Sequence, residues 1–139
     1  YQVERCPDIE ARVAELLAPC SCATFIGATV GAALTSAAER LMREKRMTEA
    51  MILDAYGSEA VEAVVEAAAA SLGREAAKEG FELTRRFSPG YGDWALDAQP
   101  GVLAALGAER IGISAGRGCI LVPEKSVTAV VGWVPRGGG

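Results

Sequence analysis

The sequence predicts an α+β fold in which helices pack on a small, mainly antiparallel twisted sheet. Up to about residue 78, apolar residues recur at intervals of three and four, as on the buried face of a helix, with one short strand among them. After Gly112 short apolar or alternating runs separated by turn residues are typical of strands. Helices that precede a group of strands indicate an α+β arrangement and not βαβ units. The 139 residues, half of them hydrophobic, fit one domain spanning 1–139.

Two helices and a strand are predicted in the first 45 residues. The first helix opens at Pro7-Asp8 and ends at Ala18, because Pro19 disfavours a helical residue before it. The apolar, partly β-branched run Cys22–Ile26 predicts a strand. A second helix is expected from about Val30 to Lys45.

A long helical stretch follows the basic cluster at residues 43–46. It is expected to start at Thr48, to bend at Gly57, and to resume with Ser58 as N-cap until about Lys78. Its apolar stripe comprises Val61, Val64, Val65, Ala68 and Leu72, and alanines 67–70 form a patch that allows close approach of another helix or backbone. Glu59, Glu62 and Glu66 lie on a different side. They favour either a solvated face or a site for a cationic ligand, with Glu62 the candidate because it borders the apolar stripe.

The last part of the chain predicts one short helix and three strands. Asp97 is expected to cap a helix that has Pro100 in its first turn and ends at Leu106, before Gly107. The runs at 112–115 and 119–122, joined by Gly-Arg-Gly, predict an antiparallel hairpin. A third strand is expected at 127–133.

The composition excludes several classes of function. A net charge of −4 with scattered Lys and Arg predicts no nucleic-acid surface, and no apolar run is long enough to predict a membrane span. There is no histidine, so imidazole bases and imidazole metal ligands are absent. The four cysteines include the pair Cys20 and Cys22, which predicts either reduced thiols in a cytoplasmic protein or, alternatively, a metal or redox site.

The stretch Arg86-Phe87-Ser88-Pro89-Gly90-Tyr91 is the most informative candidate for a binding site. Pro89 and Gly90 suit the two central positions of a turn, and Gly90 lets a ligand approach the backbone. Arg86 can bind a carboxylate through two parallel hydrogen bonds, and Tyr91 offers a flat face and a hydroxyl. The stretch therefore predicts either an ordinary surface turn or one wall of a site for a small zwitterion with a flat group attached.

These six residues resemble the R-x-x-x-G-Y signature of the activation domain of cobalamin-dependent methionine synthase. Leu106–Ile113 resembles that family's segment before its hairpin, and Val122–Gly132 resembles its P-x-x-S-V strand. Phe25–Gly31 and Leu53–Ser58 are similar to the short, stand-alone members. The resemblance covers the chain from about residue 23 to residue 133.

The resemblance implies a reactivation subunit that binds S-adenosylmethionine and supports the reductive methylation of cob(II)alamin. Arg86, Ser88, Gly90, Tyr91 and Glu62 are then the binding residues, with Glu62 matching the family's helix glutamate. A partner methionine synthase or corrinoid protein supplies the cobalamin, and a flavodoxin-like donor supplies the electron. The alternative is a non-catalytic docking module for a corrinoid protein that no longer binds S-adenosylmethionine.

Overall fold

A computed structural model describes residue 15, residues 17–91 and residues 94–137 of the chain. Within these residues it confirms the α+β class, with helices packed on a three-stranded antiparallel sheet and a separate two-stranded sheet. The elements, in chain order, are β1 (Cys22–Thr29), α1 (Ala33–Arg43), α2 (Met47–Lys78), β2 (Phe81–Leu83), α3 (Gln99–Leu106), β3 (Ser114–Ala115), β4 (Leu121–Val122) and β5 (Ser126–Pro135). The helix predicted at 7–18 lies almost entirely outside the described residues.

The predicted third strand, β5, is the centre of the main sheet. Its residues 126–133 pair antiparallel with the whole of β1, from Thr29 opposite Ser126 to Cys22 opposite Trp133. On its other side it pairs with β2, which the sequence pattern did not reveal. The predicted hairpin forms as β3 and β4, but these two strands make a sheet of their own.

Both faces of the main sheet are covered. On one face α2 packs against the strands through a cluster of small aliphatic residues, Ala28, Val61 and Val65. On the other face lies an aromatic cluster that joins α3 and the preceding loop to β5: Phe87, Trp94, Ala98, Val102 and Val130. Because it is covered on both sides, β5 is a nearly continuous run of buried residues.

The α2 helix is continuous from Met47 to Lys78, so the predicted bend at Gly57 and the predicted N-cap at Ser58 are wrong. Gly57 is buried where α1 crosses, and an added Cβ there would lie 2.7 Å from the Leu34 Cδ2 atom. The glycine therefore permits close packing of two helices rather than a break in one. The Ser58 hydroxyl instead accepts a hydrogen bond from Lys125 Nζ at 2.8 Å.

Local turn chemistry sets two other helix boundaries. α1 begins later than predicted because Gly31 adopts φ +81° and its N–H donates to Thr29 Oγ1 at 3.0 Å. Asp97 lies in a 3₁₀ turn before α3 and does not cap that helix, whereas Pro100 in the first turn and Gly107 at the C-cap are as predicted. None of the described helices is long and apolar enough to cross a membrane.

Candidate functional site

The stretch from Arg86 to Tyr91, the motif loop, contains the turn that Pro89 and Gly90 predict. The Tyr91 N–H donates to the Ser88 carbonyl at 3.1 Å, and Gly90 adopts φ +86°. A hydrogen bond across four residues with positive φ at the third position is a type II turn. Arg86 precedes this turn and Tyr91 is its last residue, so both lie on the same short segment.

The motif loop is fixed to the sheet by hydrogen bonds. Phe87 N–H donates to the Val130 carbonyl at 3.0 Å, and Val130 N–H donates to the Phe87 carbonyl at 2.7 Å. After the turn, Gly90 N–H donates to the carbonyl of Trp94 at 2.7 Å, and the Trp94 side chain is buried. Both ends of the loop are therefore held in place, which orients Arg86 and Tyr91 by their backbone positions.

A groove of about 930 Å³ lies between the motif loop and α2. Four of the five predicted site residues line it: Glu62, Arg86, Ser88 and Tyr91. Gly90 is not part of the lining and acts through the turn geometry. The remaining lining residues are Ala69, Ala70 and Gly73 from α2, Leu83, Thr84, Arg85 and Phe87 from the segment before the turn, and Val127 and Val131 from β5.

An ion pair joins the two walls of the groove. Arg86 Nη2 lies 3.5 Å from Glu62 Oε2, and the two side chains are 29% and 52% exposed. An ion pair this accessible to water contributes little net energy, because solvent screens both charges. Either partner can therefore exchange the other for a charged group on a ligand.

The groove changes from charged to apolar along α2. Glu62 and Gly73 are separated by three helical turns, which is about 16 Å at 1.5 Å per residue. At the Gly73 end the wall consists of alanine and glycine, with Leu83 opposite. This arrangement suits an elongated molecule with a zwitterionic head and a flat, less polar tail.

The side chains of Arg85, Phe87 and Tyr91 contact one another in a row near the turn. The Arg85 guanidinium carbon lies 5.6 Å from the centre of the Phe87 ring, and Phe87 meets Tyr91 edge to face with ring centres 6.1 Å apart. Tyr91 itself is 72% exposed, so it stands at the mouth of the groove. Arg85 was not a predicted site residue, although its position next to Arg86 was a usable signal.

The helix side of the groove was also missed by sequence reasoning. Ala69 and Gly73 follow Glu62 at intervals of seven and four residues, which places all three on one side of a helix. That spacing could have identified the groove wall. It carried no information about which strand segment would lie opposite, because that depends on how α2 packs on the sheet.

The cysteine pair lies away from the groove. Burial, and secondarily the charge of Cys22, raises the pKa of the Cys20 thiol, which disfavours the reactive and metal-binding thiolate. Within the described part of the chain, no group of three or more His, Cys, Asp or Glu side chains could hold a metal ion. Cys6 lies outside the described residues.

No protein-family model and no curated protein matches this chain. A proposal for its function therefore rests on the chemistry of the groove and on the resemblance of the motif loop to the methionine synthase activation domain.

Proposed function

We propose that this chain binds S-adenosylmethionine in the groove and supports reductive methylation of cob(II)alamin held by a partner methionine synthase or another corrinoid protein. The supporting observation is that Arg86 and Glu62, 3.5 Å apart, line one groove together with Tyr91. A ligand with an amino-acid head carries one carboxylate and one ammonium. The two side chains supply one charge-assisted partner for each.

Binding is an exchange of partners at the charged end of the groove. The ligand carboxylate takes the planar fork of Arg86, which can donate two parallel N–H bonds, and Glu62 turns to the ammonium. Because the Arg86–Glu62 pair is exposed, separating it costs little. The new contacts replace one weak ion pair with two.

The apolar end of the groove accommodates the nucleoside. Ala69, Ala70 and Gly73 lack side chains long enough to fill the space in front of them. A flat heterocycle can lie against this wall, and the 930 Å³ volume falls within the range of about 300–1,000 Å³ typical of small-molecule sites.

The chain itself contributes positioning. It has no histidine and therefore no imidazole ligand for cobalt, so a partner brings the cobalamin. S-adenosylmethionine held by Arg86 and Glu62 would supply the methyl group for the partner's cobalamin, and a flavodoxin-like donor would supply the one electron that this reductive methylation requires. Arg86 and Glu62 hold the amino-acid head, and the exposed Tyr91 marks the open mouth where a partner can reach the methyl group.

Isothermal titration with S-adenosylmethionine tests this proposal. Arg86→Ala removes one charge-assisted anchor, so we expect binding about ten- to a hundredfold weaker, or about 1.5–3 kcal/mol. The matched control is Arg117→Ala, which removes an exposed guanidinium that does not line the groove. Its affinity should stay within about threefold of wild type.

The wild-type titration decides the proposal. Absence of binding heat in the wild-type chain at several temperatures contradicts ligand binding and leaves the docking-module alternative. Equal losses in Arg86→Ala and Arg117→Ala contradict the assigned role of Arg86. A pull-down of a cobalamin-loaded partner in the absence of S-adenosylmethionine then tests the docking module directly.

A further inference from the structure

The α2 helix has a second apolar face, which lies on the side away from its buried residues Gly57, Val61 and Val65. Its residues recur at intervals of three and four, and we call them the outer stripe: Glu49, Ile52, Tyr56, Ala60, Ala63, Ala67, Ala70 and Arg74. All but the half-buried Ala60 are exposed. Ile52 and Tyr56 are 65% and 66% exposed. Large apolar side chains held this far into water on a regular helix indicate an interaction surface.

We propose that the outer stripe pairs with the outer stripe of a second copy of this chain, with the two α2 helices antiparallel. The two-fold axis passes between Ala60 and Ala63. In an antiparallel pair, a residue before the axis in one copy faces the residue of the second copy that lies the same number of positions after the axis. With the axis between Ala60 and Ala63, every stripe residue of one copy faces a stripe residue of the second copy, with an offset of at most one position along the helix.

Side-chain size is complementary in this register. The stripe has its two bulky members, Ile52 and Tyr56, in one half and alanines in the other half. Tyr56 of one copy therefore faces Ala67 of the second copy, and Ile52 faces Ala70. Large residues opposite small ones let two helices approach closely without leaving voids. Two parallel helices would instead place the bulky residues against each other.

Charge is complementary as well. The stripe has an acid, Glu49, at one end and a base, Arg74, at the other, and the antiparallel register brings them together twice. Among the described residues Arg74 has no ion-pair partner within the chain. Glu49 pairs with Arg46 and, because a carboxylate has four acceptor sites, can accept a second cation.

One pair of like charges opposes the dimer. Glu59 and Glu66 lie on the groove side of the stripe, and the two-fold axis places Glu59 of one copy near Glu66 of the other. Both side chains are exposed, so water screens the repulsion and limits its cost. Removing one of these charges should therefore strengthen the dimer. An effect of Glu59 on the fold of a single copy would not have this result.

Sedimentation velocity of the full chain, from micromolar to millimolar concentration, tests the dimer. We expect a reversible shift of the wild type towards twice the monomer mass, and a dimer at least about tenfold weaker in Tyr56→Glu and in Ile52→Glu. Ile120→Glu is the matched control, because Ile120 is 59% exposed and lies off the stripe. It should behave as wild type. A wild type that stays monomeric throughout the range overturns the proposal.

The register has its own tests. Ala63→Cys places a thiol beside the axis, so mild oxidation should give a covalent dimer on a non-reducing gel that the wild type, with its natural cysteines, does not give. Arg74→Glu should weaken the dimer, Glu49→Arg with Arg74→Glu should restore it, and Glu59→Gln should tighten it. Failure of both the cross-link and the charge swap overturns the antiparallel arrangement.

The dimer and the proposed ligand can fail separately. Ile52 and Tyr56 do not line the groove, although Ala70 belongs to both the outer stripe and the groove wall. Tyr56→Glu should therefore bind S-adenosylmethionine as the wild type does while remaining monomeric. A loss of both properties in this variant, with an unchanged far-UV circular dichroism spectrum, contradicts the independence of dimer formation and ligand binding.

Discussion

The two faces of the main sheet are packed by different means. On one face the long helix α2 uses short side chains, among them Val61 and Val65. On the other face the motif loop and α3 are held by large aromatic residues, chiefly Phe87 and Trp94. Beyond its hydrogen bonds to Val130 and Trp94, the motif loop lacks the repeating backbone hydrogen bonds of a helix, and large buried side chains also hold it against the sheet. The small residues of α2 also leave the space that forms the groove.

Truncating a buried side chain should lower the free energy of unfolding most on the aromatic face. Trp94 is 1% exposed and its ring belongs to the cluster that joins the motif loop to β5. Trp94→Ala should lower the free energy of unfolding by about 3–5 kcal/mol, because it removes a large buried side chain and leaves a cavity. Urea denaturation followed by circular dichroism at 222 nm measures this. Trp94→Phe is the control and should recover most of the loss.

A smaller loss is expected on the helical face. Val65 is 0% exposed and contacts the sheet within the cluster of small residues. Val65→Ala removes two buried methyl groups and should cost about 2 kcal/mol by the same urea denaturation. A loss as large as that of Trp94→Ala would show that side-chain size does not distinguish the two faces. Ala67→Gly, at an exposed position of the same helix, should cost only about 1 kcal/mol.

Substitution of Gly90 in the motif loop should cost more stability than is usual for an exposed residue. Gly90 adopts φ +86°, and an added Cβ would lie 3.1 Å from the Leu96 Cδ1 atom. Gly90→Ala should cost about 1–2 kcal/mol in the thermal or urea unfolding free energy, because L-residues disfavour this backbone conformation. Gly31→Ala is the matched control, since Gly31 also has positive φ but an added Cβ there meets nothing within 4 Å. Equal losses would assign the whole effect to backbone strain and none to the Leu96 contact.

The smallest effect is expected at an ion pair on the helical face. Lys125 Nζ lies 3.0 Å from Asp54 Oδ1, and the two side chains are 12% and 57% exposed. Asp54→Asn should change the unfolding free energy by less than about 1 kcal/mol, because the Asp54 carboxylate is exposed to water and Lys125 Nζ keeps its hydrogen bond to the Ser58 hydroxyl. A double-mutant cycle with Lys125→Met isolates the coupling between the two residues. A coupling of several kcal/mol would contradict the minor role assigned to surface charge on this face.

Sequence reasoning succeeded where local chemistry determines the structure. Pro89 and Gly90 specify a type II turn with little help from the rest of the chain, and Gly107 ends α3 as expected. The same reasoning misread Gly57, because a glycine inside a helical pattern can mark either a break or a close contact. Only the position of Leu34 on α1 decides between the two.

The candidate site was predicted in part for the same reason. Glu62 and Arg86 were identified from residue type and spacing, and they do line one groove. Arg85 and the wall around Gly73 were not, because a groove is produced by two elements packing together. The short strand β2 was missed as well, since its three residues become a strand only by pairing with the end of β5.

The reciprocal hydrogen bonds between Phe87 and Val130 make the start of the motif loop an extension of the sheet. Fixing a backbone costs about 1–2 kcal/mol of conformational entropy per residue, and here that loss occurs when the protein folds and not when a ligand arrives. A ligand that binds in the groove should therefore meet a loop that is already ordered, and binding should not have to order it. Amide hydrogen exchange at Phe87 should be as slow as in the strands, with or without a ligand.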